Sequence, residues 1–117
     1  MKPVNIKDRC TKKCIKKCEE VVRLYDEIQL AYASVLEKNA EIEKIKCNVP
    51  TVSIDGNAFM SDFVCTKTNG DIMVRECVHR NKLSLPRTAK LLDASRKYWI
   101  EQGVTDWGIV IGKEVRL

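Results

Sequence analysis

Phe59-Met60-Ser61-Asp62-Phe63-Val64-Cys65-Thr66-Lys67 and Asp71-Ile72-Met73-Val74-Arg75-Glu76-Cys77-Val78-His79 are two β-rich runs separated by Thr68-Asn69-Gly70. Asn-Gly between such runs is a strong hairpin signal, because both residues tolerate the positive φ that a tight reversal needs. The stretch therefore predicts two antiparallel strands. Alternation puts Met60, Asp62, Val64 and Thr66 on one face of the first strand and Phe63 and Cys65 on the other. In the second strand Ile72, Val74, Glu76 and Val78 share a face, opposite Met73, Arg75, Cys77 and His79. Asp62 precedes the turn by nearly the same interval as Glu76 follows it, so the two carboxylates are expected to stand opposite each other. Facing carboxylates repel and raise each other's pKa. A Mg²⁺ or Mn²⁺ ion between them removes that cost and supplies a bound water able to attack a phosphodiester. The same pair also fits two exposed sheet carboxylates partnered by Arg75 or Lys67.

Outward from the hairpin, no proline or glycine occurs from Val4 to Val49. Val21, Leu24, Tyr25, Ile28, Tyr32, Val35 and Leu36 recur at three- and four-residue steps, which predicts a long N-terminal helical region over about Ile6–Lys46, as one helix or two. Asn48-Val49-Pro50 is read as its end, since the residue before proline is driven from the α region. Thr51–Ile54 follows as a short strand, closed by Asp55-Gly56-Asn57. Beyond the hairpin, Pro86 introduces a helix over about Arg87–Gln102, with Leu91, Leu92, Ser95, Tyr98 and Trp99 inward and Gly103 as its C-cap. Trp107–Ile111 is a continuous apolar run that reads as a buried central strand. The order helix–β–β–β–helix–β predicts an α/β domain with a mixed sheet flanked by helices. Residues 1–47 form its basic arm and helical part and residues 48–117 its αβ core, together a single domain.

The chain has 117 residues, enough for one modest core. Its charge is unevenly placed. Residues 1–18 hold seven Lys and Arg against Asp8 alone, so nearly all of the net charge of +5 belongs to an N-terminal arm and the remainder sums to −1. Lys12, Lys13, Lys16 and Lys17 in that arm are candidate phosphate-backbone contacts; the alternative is a solvated helix end. No apolar run is long enough for a membrane span, and the opening residues are charged rather than a signal-peptide core, so a cytoplasmic location is expected. The six cysteines are then read as thiols. Cys10, Cys14 and Cys18 follow one face of a helix at four-residue spacing, which suits small apolar core residues better than a zinc knuckle.

Residues 59–64, the Asn69-Gly70 turn and Val74–Val78 resemble the PD-(D/E)XK nuclease signature. Leu83–Leu91, Arg96–Val104 and Asp106–Val110 resemble the progression of the TnsA endonuclease N-terminal domain, and the likeness covers about half the chain. It implies a restriction-endonuclease-like fold, DNA as partner, and Asp62 and Glu76 as metal-binding catalytic residues. Ser34-Val35-Leu36-Glu37 is similar to the family's helical Ser-x-x-Glu pattern and makes Glu37 a third candidate ligand. The family's catalytic lysine falls at Val78, and a valine cannot orient water or offset developing charge; Lys82 is the candidate to reach back in its place. The family's C-terminal DNA-binding domain has no counterpart here.

Two functions follow as expectations. One is a DNA-acting protein of a mobile element or phage, with impaired metal-dependent phosphodiester hydrolysis. The other is a catalytically silent nuclease fold that binds DNA or a protein partner, for example as inhibitor of a host nuclease or defence system. A core this small suggests a homodimer in either case.

Overall fold

A computed structural model describes residues 2–3, 11–13, 17–18, 22–24, 26–54 and 57–112. The elements in chain order are β1 (Lys2–Pro3), β2 (Thr11–Lys13), β3 (Val22–Leu24), α1 (Glu27–Lys38), β4 (Ile42–Ile54), β5 (Asn57–Lys67), β6 (Ile72–His79), a 3₁₀ turn (Arg80–Lys82), α2 (Pro86–Glu101) and β7 (Asp106–Gly112). From α1 onward the order is helix, three strands, helix, strand, as the sequence predicts. β4, β5 and β6 are antiparallel, and β7 joins β6 in parallel after the α2 crossover. β1 pairs with Phe59 and Met60 of β5, and β2 with β3 forms a separate ribbon. The result is an α/β fold with a mixed sheet and two helices.

The hairpin is where its residues place it. Gly70 takes φ +91 and donates its N–H to Lys67 O at 2.9 Å, and Lys67 N donates to Asp71 O at 2.8 Å. Asn69 does not share the positive φ; its Oδ1 instead accepts from Asp71 N at 2.9 Å. α2 buries Leu92, Ser95 and Trp99, with Leu91 and Tyr98 half-buried, which is the predicted stripe. Proline at its start costs no hydrogen bond, because first-turn N–H groups have no helical acceptor.

The N-terminal region differs from the expectation. Among the described residues the helix is only Glu27–Lys38, and Thr11–Lys13, Val22–Leu24 and Ile42–Ile54 are strands. Asp26 starts α1 by accepting from Gln29 N at 2.9 Å, a carboxylate cap at the positive end of the helix dipole. Asn48-Val49-Pro50 does not end a helix. It lies inside β4, which keeps pairing through Val49↔Ser61 and Pro50↔Met60. Pro50 is tolerated there because, among the described residues, β4 borders only β5 in the sheet and leaves its other edge unladdered. Cys10 and Cys14 fall outside the described residues. Trp107–Ile111 is a strand as expected but not a central one. Among the described residues β7 pairs only with β6, and Ile109 and Ile111 are 40% and 45% exposed.

Two cores sandwich the sheet. Leu24, Ile28, Ala33 and Leu36 pack on Ile42, Ile45, Phe63, Cys65, Met73 and Cys77, so α1 covers one face. Trp99 and Val104 pack on Val74 with Val64, Ile72 and Trp107, so α2 covers the other. Phe63, Cys65, Met73 and Cys77 thus face α1 while Val64, Ile72 and Val74 face α2, the alternation of a strand.

Candidate functional site

The β5–β6 ladder runs from Thr66↔Ile72 to Phe63↔Arg75. Its next rung would join Asp62 to Glu76, and there the side chains replace the backbone. Asp62 N donates to Glu76 Oε1 at 2.9 Å, while Cys77 N donates to Asp62 Oδ2 at 2.8 Å. On the other side of β5, Asn48 interrupts β4 at the matching position with φ +54. Both acids are buried, Asp62 at 2% and Glu76 at 0% exposure.

Each carboxylate belongs to a different layer. Asp62 Oδ1 accepts from Gln29 Nε2 of α1 at 2.5 Å, and the same amide donates to Asn48 Oδ1 at 3.0 Å. Glu76 Oε2 accepts from Ser61 Oγ at 2.9 Å and from Ser95 Oγ of α2 at 2.5 Å. Those two hydroxyls are aimed by tryptophans, since Trp99 Nε1 donates to Ser61 Oγ at 2.9 Å and Trp107 Nε1 to Ser95 Oγ at 3.1 Å. Indole N–H groups only donate, so each serine proton is directed onto Glu76. These donors suit an ionised carboxylate, yet burial, and then the adjacent Asp62 charge, push the Glu76 pKa up to about 7. The upward direction holds because desolvation acts on a side chain with no solvent contact, whereas three donors only partly offset it.

The remaining candidates lie apart from this pair. Val78, where the family places lysine, is buried at 7% exposure on the α2 side. Lys82 is exposed in the 3₁₀ turn and shares a cavity of about 90 Å³ with Val78, His79, Asp26 and Thr88. Neither Asp62 nor Glu76 lines that cavity. Glu37 is in the last turns of α1, near Cys18, whose thiol is pushed up by burial first and by the Glu37 charge only as a minor addition. The residue α1 brings to Asp62 is Gln29, eight positions earlier and roughly 12 Å along the helix. Among the described residues no group of three His, Cys, Asp or Glu side chains is arranged to hold a metal ion.

In the basic arm, Lys12 and Lys13 belong to β2, and Lys16 is outside the described residues. Lys17 has a structural task, its Nζ donating to Leu36 O at 3.0 Å and Asn39 O at 2.6 Å. A cation there satisfies carbonyls that the helix end leaves open. Arg75 and Lys67 do not pair with the buried acids. Both converge on Asp106, at 2.7 and 2.5 Å, and with Lys67 as the larger influence they hold its carboxyl below the usual range.

Reading the sequence misses Gln29, Ser61, Ser95 and Asp106. Gln29 had a legible signal, because Asp26-x-x-Gln29 matches an N-cap residue followed three positions later by Glu or Gln. Ser95 stands in the inward stripe of α2, where a polar residue asks for a partner. No protein-family model and no curated protein matches the chain. No helix among the described residues is long and apolar enough to cross a membrane.

Proposed function

We propose that this chain is a nuclease-like α/β protein that acts on DNA as a binder of its phosphate backbone, with the carboxylate pair serving the core rather than a metal. The observation that carries this reading is how Asp62 and Glu76 are used. Their oxygens accept five protein donors, and they turn toward opposite helices. A metal would have to displace those donors and draw both acids back to one face. The helix–three strands–helix–strand order and the Trp-bearing segments favour descent of the fold from a TnsA-like, restriction-endonuclease-like core. The valine at position 78 favours loss of its chemistry.

Basic surface supports the DNA-binding half. Between Arg80 and Lys97 six Lys and Arg stand against Asp93 alone. Arg80, Lys82, Arg87 and Lys90 are exposed, and α2 begins with no acidic residue in its first turn. Basic side chains at the positive end of a helix dipole repel it and attract phosphate. A second reading, residual Mg²⁺- or Mn²⁺-dependent hydrolysis, is favoured by the cavity that Lys82 shares with Val78.

Incubating supercoiled plasmid with Mn²⁺ and wild type, Val78→Lys or Asp62→Asn protein tests both. Duplex retention without cleavage by wild type supports the binder. Wild-type cleavage abolished in Asp62→Asn would establish the second reading instead. Neither retention nor cleavage, with a host protein captured, would point to a protein partner and overturn both.

A further inference from the structure

We infer that the outer edge of β7 is an interface with a second copy of this chain, the two β7 strands pairing antiparallel about a two-fold axis at Ile109. The inference does not depend on DNA binding, since it uses none of the residues assigned to phosphate. Among the described residues β7 pairs only with β6, and the main-chain donors and acceptors of its other edge have no ladder partner among them. Apolar side chains accompany that edge. Ile109 and Ile111 are exposed on the side of the sheet where Trp107 packs beneath α2. On the α1 side a groove of about 1020 Å³ opens beside the end of β7, lined by Ile28, Tyr32, Val35, Val110 and Gly112. Val35 is itself exposed. An edge strand flanked by this much aliphatic surface is a template for another strand.

The sequence of β7 selects a copy of itself as that strand. An axis through Ile109, the middle of the seven residues Asp106–Gly112, lets the whole strand pair. Ile109 then stands opposite Ile109 of the second copy, Trp107 opposite Ile111, Gly108 opposite Val110 and Asp106 opposite Gly112. Trp107, Ile109 and Ile111 share the α2 side, so aliphatic meets aliphatic at the axis and aliphatic meets indole on either side of it. Asp106, Gly108, Val110 and Gly112 share the α1 side, where each larger residue meets a glycine. No like charges are opposed. The surrounding charges obey the same axis. Lys67 and Arg75 both bond Asp106 at the start of β7, two cations against one carboxylate. Glu27 lines the groove with Gly112 at the other end of the strand. Antiparallel pairing brings the surplus positive charge of each copy toward Glu27 of the other. The contact is isologous, so it closes at two chains and leaves neither β7 edge open.

Sedimentation velocity on the full-length chain in dithiothreitol tests this. Wild type is expected to be a dimer. Ile109→Lys, which sets two ammonium groups face to face across the axis, should be a monomer with an unchanged circular dichroism spectrum. Register is read separately. On oxidation Ile109→Cys should give a disulfide dimer, with peptide mapping joining the two substituted positions. Ile111→Cys should not, because its two copies stand four residues apart along the pair, roughly 13 Å. A monomeric wild type, whatever else its β7 edge binds, overturns the proposal. So does a dimer that survives Ile109→Lys, fails to bridge at position 109, or bridges as readily at position 111.

Discussion

Glu76 couples protonation to folding through atoms that can be observed directly. Its folded pKa of about 7 lies above its unfolded value near 4.5. Its stabilising contribution is therefore full below about pH 4.5 and falls as pH rises through 7. The loss is on the order of a few kcal/mol. Urea midpoints should decline from pH 5 to pH 8, and Glu76→Gln should flatten that decline. The chain has only two tryptophans, and both indoles bond the serines that bond Glu76. Their emission should accordingly shift with an apparent pKa near 7 in wild type and not in the variant. A flat wild-type midpoint would show that the three donors keep the carboxylate charged throughout. Gln29 makes the complementary case. Gln29→Ala leaves the buried Asp62 Oδ1 without its amide donor, which costs about 1–3 kcal/mol. Gln29→Glu should cost more, because it sets a second carboxylate against Asp62. That Asp62 and Glu76 are neighbours on paired strands was legible from turn spacing, but their sharing a face was not borne out: Asp62 leaves the Val64 face and turns to Gln29 of α1, while Glu76 turns to Ser95 of α2. The partners of each acid were not legible, because Gln29 and Ser95 reach the strands only through helix packing, which local periodicity does not encode.

The first part of β4, residues 42–46, has a helix-like pattern in the sequence, and the reason is geometric. Ile42 and Ile45 are both buried and three residues apart, a helical interval. The register against β5 shifts between Ile42↔Lys67 and Lys44↔Thr66, so a bulge inserts one residue and turns a two-residue period into three. Charged Glu43, Lys44 and Lys46 complete the resemblance to an amphipathic helix while lying exposed on a strand. α2 had no such ambiguity, with Pro86 before it, Gly103 at φ +83 after it and an inward stripe between. β7 has its own constraint, which sequence alone gives no reason to expect. A Cβ on Gly112 would stand 2.4 Å from Cγ1 of Ile28, so β7 approaches α1 too closely for any side chain. Gly112→Ala should destabilise by about 1–3 kcal/mol through overpacking, and Ile28→Val, which itself costs about 1 kcal/mol, should recover part of that in the double variant. Strict additivity in urea unfolding would mean that the strand end yields freely. Lys17→Met removes the cation at the end of α1 and should cost about 0.5–1 kcal/mol by the same measurement.

Across the whole molecule, charge sorts by region in a way that net values conceal. Residues after position 18 sum to −1, yet residues 80–97 within them hold six Lys and Arg against one acid. The near-neutral body is therefore a basic turn-and-helix segment balanced by acids elsewhere. That segment follows β6 directly, at the end of the strand that runs parallel to β7, where α/β sheets commonly place ligands. Lys97 pairs with Asp93 at 3.1 Å and, with Arg96, lies in the later turns of α2, so the exposed cations at or before the start of that helix are Arg80, Lys82, Arg87 and Lys90. If these four contact phosphates, each released counterion steepens the salt dependence by roughly 0.9 in log Kd per log salt for duplex DNA. Replacing all four by alanine should reduce the slope by about 3–4 and weaken binding uniformly across sequences, because phosphate contacts carry no base information. Fluorescence anisotropy on two unrelated duplexes between 50 and 200 mM KCl reads both quantities. A slope unchanged by the quadruple replacement would move the interface to the arm, where alanines at Lys12 and Lys13 should then reduce it. Lys17 is unsuited to that comparison, since removing it also uncaps α1 and would confuse lost folding with lost binding.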